Sequence, residues 1–147
     1  MAVKHQVNLP KLNRDSNHRK ALFRNQLTQL IENGSLTTTV TKAKIIKRLF
    51  DKLVTKAKQG SLASRRSVIA SLGNATPAHR LVDTIAPAFG DRTSGFTTIQ
   101  KTVVRRGDAT ALATLKLMAE IIEPVKEEKI AKAKKETLKV SKKAKKA

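Results

Sequence analysis

Between Lys11 and Arg24 the chain reads Lys-Leu-Asn-Arg-Asp-Ser-Asn-His-Arg-Lys-Ala-Leu-Phe-Arg, which crowds cations around a point where a helix should begin. Asp15, Ser16 and Asn17 are all N-cap types, and Phe23, Leu27, Leu30 and Ile31 follow at i, i+4, i+7 and i+8. Cations in the first turn oppose the helix macrodipole at roughly 0.3–1 kcal/mol each when exposed, whereas free N–H groups and cations together bind phosphate. The chemistry predicted is therefore anion binding, with Arg14, His18, Arg19, Lys20 and Arg24 around one helix start and Lys11, Asn13 and Ser16 beside them. A second cationic pattern follows in Lys44, Arg48, Lys52 and Lys56, an i, i+4 ladder of like charge. Each step of such a ladder is unfavourable by roughly 0.2–0.5 kcal/mol in an isolated helix, so a docked polyanion would relieve it.

No other constellation supports chemistry. His5, His18 and His79 fall on separate predicted elements without the spacing of a metal site, and there is no cysteine. The acids before residue 123 stand singly, and no phosphate-binding glycine loop occurs, so neither a catalytic role, a cofactor nor a metal is expected. The aromatic residues are Phe23, Phe50, Phe89 and Phe96. Phe23 and Phe50 lie on apolar helical stripes, which predicts core packing rather than base stacking and argues against a stacking platform of the RRM or OB type.

A net charge of +20 on 147 residues implies a polyanionic partner, with nucleic acid ahead of an anionic membrane surface. Residues 1–66 carry a net +12, 67–122 only +2, and 123–147 +6, so the basic surface belongs to the first half and the tail. No apolar run reaches the length of a membrane span and the N-terminus lacks a signal-peptide core, so a cytosolic location without membrane insertion is expected.

The elements that must position these residues can be drawn in order. Pro10 predicts an extended N-terminal arm over residues 1–15. The first helix is predicted from about His18 to Asn33, stopped by Gly34, and Ser35 to Val40 alternates as a strand. Thr41 is the expected cap of a basic helix over Lys42 to Lys58, with Ala43, Ile46, Phe50, Leu53, Val54 and Ala57 inward. Ser61 should cap a third helix ending at Gly73, and Thr76-Pro77 should open a fourth that Pro87 closes. Phe96 to Arg106 and Thr110 to Met118 read as strands joined by Gly107-Asp108-Ala109, although residues 109–118 also suit a helix. The fold class predicted is α+β, with a small antiparallel sheet of about three strands covered by about four helices. Its boundaries are an arm at 1–15, an α+β domain at 16–122 expected to bind nucleic acid, and a Lys/Ala/Glu-rich basic tail at 123–147.

Several segments resemble the bacterial-type large-subunit ribosomal protein seventeen family. They are Lys11 to Arg14 with Ser16, His18 to Ala21, Phe23 to Asn25, Leu36 to Thr38 before Lys42-Ala43-Lys44, Arg65-Arg66, Gly95 to Thr97, and Arg105 to Ala109. The first three reproduce residue type and spacing over one continuous stretch. Two positions depart from the family pattern: residues 6–10 lack its basic, Gly-containing run, and Thr41 replaces a proline before the second helix. The resemblance implies a non-catalytic constituent of a bacterial-type ribosome, cytoplasmic or organellar, that lies toward the outside of the polypeptide exit region. Its implied partners are large-subunit ribosomal RNA and neighbouring ribosomal proteins, with no small-molecule substrate. It adds Lys42, Arg65, Arg66, Arg105 and Arg106 to the residues expected to touch RNA. Composition alone leaves open a chromosomal or regulatory DNA-binding protein that would use the same 42–58 helix.

Overall fold

A computed structural model describes residues 10–118, so most of the arm and the whole 123–147 tail lie outside the described residues. The chain runs α1 (Ser16–Asn33), β1 (Ser35–Thr39), α2 (Val40–Lys58), α3 (Leu62–Leu72) and α4 (Ala75–Arg80). A π turn (Leu81–Ile85) carries α4 into a last helical turn (Ala86–Ala88), and β2 (Thr97–Val104) and β3 (Ala111–Leu117) follow. The α+β expectation holds, with one antiparallel sheet in the order β1-β3-β2.

Local signals account for most boundaries. Gly34 and Gly73 end α1 and α3 in the left-handed conformation at φ 72° and 71°, each N–H returning to the carbonyl four residues back. Ser61 caps α3 by accepting the Ser64 N–H at 3.1 Å. Three expectations are corrected. The N-cap of α2 is Thr39 rather than Thr41, and it makes no side-chain capping bond, because the strand pairs as far as Thr39 with Leu112 and the chain turns straight into the helix at Val40. The cap of α4 is Asn74 rather than Thr76, its side chain accepting the Thr76 N–H at 3.1 Å, so Pro77 falls in the first turn where an N–H is dispensable. Pro87 does not close this helix. It offers no N–H to the Asp83 carbonyl and crowds it, and the wider π turn just before it, bonded from Ala86 N–H to Leu81 O, absorbs that conflict.

Residues 111–117 form the central strand, not a helix. Ser35 to Thr39 pair with Lys116 to Leu112, and Thr97 to Lys101 with Leu117 to Ala113. Alternation then turns Ala113 and Leu115 into the core beside Leu36. A bulge between Lys101 and Val104 precedes the hairpin, where Arg105 N–H bonds Thr110 O at 2.9 Å and Gly107 takes φ 101°. The hydrophobic core lies between this sheet and the helices, with α2 at its centre packing on all three strands, α1, α3 and the π turn. Ile46, Phe50 and Val54 of α2 are fully buried, and Phe89 and Phe96 meet with centroids 4.8 Å apart and tilted.

Candidate nucleic-acid interface

The organising stretch is built differently from the predicted anion site. Its anion is the chain's own Asp15, whose carboxylate accepts the Asn17 and His18 N–H groups at 3.1 and 3.2 Å. The His18 N–H is the first reason that the Asp15 carboxyl sits below its ordinary value. A capping carboxylate thus takes two of the N–H groups at the helix start where phosphate binding is expected. The cations around it are also engaged. The Arg14 guanidinium rests against both ring nitrogens of His18, and Arg19 donates to the Arg14 carbonyl at 3.2 Å. Arg24 reaches across to α3 and donates to the Ala70 and Ser71 carbonyls at 3.4 and 3.3 Å, serving carbonyls that the helix end leaves unpaired. Leu12 and Asn13 both stand at positive φ, 56° and 51°, in a turn closed by Arg14 N–H to Lys11 O. For a leucine this geometry costs about 1–2 kcal/mol, which the packing of the turn must offset.

Arg65 and Arg105 are committed as well. Arg65 forms a two-pronged pair with Asp83 and lies 3.0 Å from His79 Nδ1, which holds the Asp83 carboxyl low and raises the guanidinium in turn. Arg105 grips Asp108 across the hairpin, and that hydrogen bond is the main reason that the Asp108 carboxyl lies well below the usual carboxylate range.

The α2 ladder stands as drawn. Lys44, Arg48, Lys52 and Lys56 are exposed along one stripe of the helix, about 18 Å from end to end at 1.5 Å per residue. Lys56 donates to Ser67 at 3.3 Å, and the other three make no hydrogen bond or ion pair with a described residue. Asp51, the single acid of this helix, is half-buried beside the ladder and accepts the Phe96 N–H at 3.2 Å, where it fixes the entry to β2. Lys11, Lys20, Lys42, Arg66 and Arg106 are likewise unpaired among the described residues, and Asn13, Ser16 and His18 are exposed.

The fold adds a juxtaposition that sequence reading missed. Lys20 and Arg24 of α1 meet Lys52 and Lys56 of α2 around a groove of about 310 Å³. Its floor is Phe23, Leu27, Leu49 and Leu53, with no acid in the lining. Phe23 and Leu27 stand on one stripe and Leu53 on another in the sequence, but Leu49 was missed, and nothing local said that two lysine-flanked stripes would face each other.

Known proteins resemble the sequence over most of its length. A family profile described as "Ribosomal protein L17" matches residues 22–118. The protein named "Large ribosomal subunit protein bL17" from Helicobacter pylori (strain 26695) is 41% identical over 116 residues, 79% of this chain and all of the relative. The protein of the same name from Wolinella succinogenes is 42% identical over the same span. That from Campylobacter jejuni subsp. doylei is 40% identical over 117 residues, 80% of this chain and again all of the relative. With two thirds of its length matched by one profile and full-length relatives above 40% identity, the chain belongs to the ribosomal protein L17 family.

Proposed function

We propose that this chain is a structural constituent of the large ribosomal subunit that holds folded ribosomal RNA on one cationic face and performs no catalysis. The observation that carries the RNA reading is the α2 ladder: three of its four cations have no partner among the described residues, while the helix's one acid is engaged by the Phe96 N–H instead. Keeping such a row uncompensated costs the free protein stability that a phosphate backbone restores. Lys44, Arg48 and Lys52 are the principal contacts in this reading, extended by Lys11, Lys20, Lys42, Arg66 and Arg106. Arg14, Arg19, Arg24, Arg65 and Arg105 contribute field and shape from fixed positions. Segments 1–15 and 123–147 are assigned as an arm and a tail around the central domain, the tail adding its net +6 to the same attraction.

The relatives from Helicobacter pylori, Wolinella succinogenes and Campylobacter jejuni carry large-subunit names, and no observation favours the DNA-binding use of the 42–58 helix. The test is co-sedimentation of the full chain with large subunits through a high-salt wash, alongside titration with ribosomal RNA and with duplex DNA of equal length. Retention on the subunit and preference for the RNA are expected. Release by salt, with equal affinity for both nucleic acids, would overturn the proposal.

A further inference from the structure

The groove between α1 and α2 combines two properties that a simple phosphate clamp does not need: an apolar floor and a rim of like charge. Phe50 is wholly buried, as expected for a packing residue; Phe23 also packs against the core as expected, but it is only half-buried and lines the groove. Leu49 beside it is also only half-buried. Four cations surround this floor, and Arg24 is held in place by the two α3 carbonyls. The matching ligand has a flat, largely apolar body with negative charge next to it. At about 310 Å³ the groove is at the small end of the roughly 300–1,000 Å³ range of ligand pockets, too small to seat a helix about 10 Å across.

We infer that the groove takes one unstacked nucleobase of an RNA strand, with the flanking phosphates on Lys20, Lys52 and Lys56. The inference rests on the RNA-binding reading above and deepens it. Lys52 and Lys56 belong at once to the rim and to the ladder, so a strand tracking the ladder from Lys44 passes the groove mouth. Taking a paired base out of a helix costs a few kcal/mol of pairing and stacking, so the nucleotide favoured is an unpaired one from a bulge or loop. Phe23 supplies the stacking surface. Ser71 supplies a hydroxyl that donates to the Ser67 carbonyl at 2.8 Å, leaving its lone pairs to accept an N–H from the base edge.

The test uses the full chain and two RNA hairpins, identical except that one carries a single bulged 2-aminopurine and the other pairs that position. The bulged hairpin should bind more tightly by roughly 5- to 150-fold, the range of one base–aromatic stack, with a change in 2-aminopurine fluorescence on binding. Phe23→Leu removes the aromatic face, and Ser71→Leu fills the groove from an exposed position with little risk to folding. Each should erase the difference between the hairpins. Equal binding of both hairpins by the wild-type chain would overturn the nucleobase site while leaving RNA binding intact, whereas failure to bind either would sink the underlying reading. If instead a short peptide of alternating acidic and aromatic residues binds, Ser71→Leu abolishes that binding and the bulge gives no advantage, the groove is a protein-docking site and the inference is wrong.

Discussion

Replacing Lys44, Arg48 and Lys52 together by glutamine should strengthen the free protein and weaken its complex. Three repulsive i, i+4 steps disappear, counting the one to Lys56, which amounts to roughly 0.6–1.5 kcal/mol at low salt. For a domain near 100 residues each kcal/mol is worth about 4–8 °C, so Tm should rise by a few to about ten degrees, and less as salt screens the ladder. No opposing loss is expected, because none of the three side chains bonds a described residue. Binding should move the other way. Each phosphate contact contributes roughly 0.7–0.9 to the slope of log affinity against log salt, so loss of three should flatten it by about 2–3. Scanning calorimetry at low and high salt, paired with fluorescence-anisotropy titrations of ribosomal RNA across a salt series, measures both. A higher Tm with an unchanged slope would show that this face is merely solvated. A lower Tm would show that the ladder has a structural partner, and the argument from uncompensated charge would fail.

Three further predictions follow from the arginines and acids whose partners the fold reveals. Arg24→Gln should destabilise the free protein by about 1 kcal/mol through loss of the bonds to Ala70 and Ser71, read as a lower urea midpoint; no change would mean that the α3 carbonyls are satisfied by water. Asp15→Ala should lower Tm by several degrees at neutral pH. Because the folded Asp15 pKa lies below its ordinary 3.8, the carboxylate's contribution is complete above that value and is lost as pH falls through the folded pKa, so wild type and variant should converge in acid; a constant gap down to low pH would refute the capping role. Asp83→Asn should release Arg65 and steepen the salt dependence of RNA binding by up to about 0.7–0.9, whereas an unchanged slope would place Arg65 away from the RNA.

Where the determinants are local, the sequence was readable. Ser61 and Gly73 bracket α3 at the predicted residues, Gly34 stops α1, and alternation through Leu36 and Leu115 drew the strands. Errors of a residue or two arose where several cap types competed, as with Thr39 against Thr41 and Asn74 against Thr76. The 109–118 stretch was ambiguous because alanine and leucine suit either state, and pairing on both sides decided it. The candidate site was legible as a list of cations but not as a division of labour. Arg24 meets carbonyls 46 and 47 residues away and Arg65 an acid 18 away, distances that no spacing rule reaches. The groove needed the α1–α2 packing to exist before it could be seen.

The strand order has a consequence for how the molecule comes into being. Neither outer strand bonds the other; both bond β3, the last of the described elements to be synthesised. A nascent chain that has emerged only to the hairpin therefore has two lone strand edges, Leu36 without Leu115 opposite it, and its basic helix already on display. Translation adds about 5–20 residues per second, so the last seven residues of the sheet arrive within about a second, and neither outer strand has its partner before they do. A stall just before Ala111 would leave a helical, strongly cationic chain beside the nascent-chain exit of a ribosome rich in RNA. Insertion of one strand thus separates a closed, three-stranded domain from an open and strongly cationic fragment.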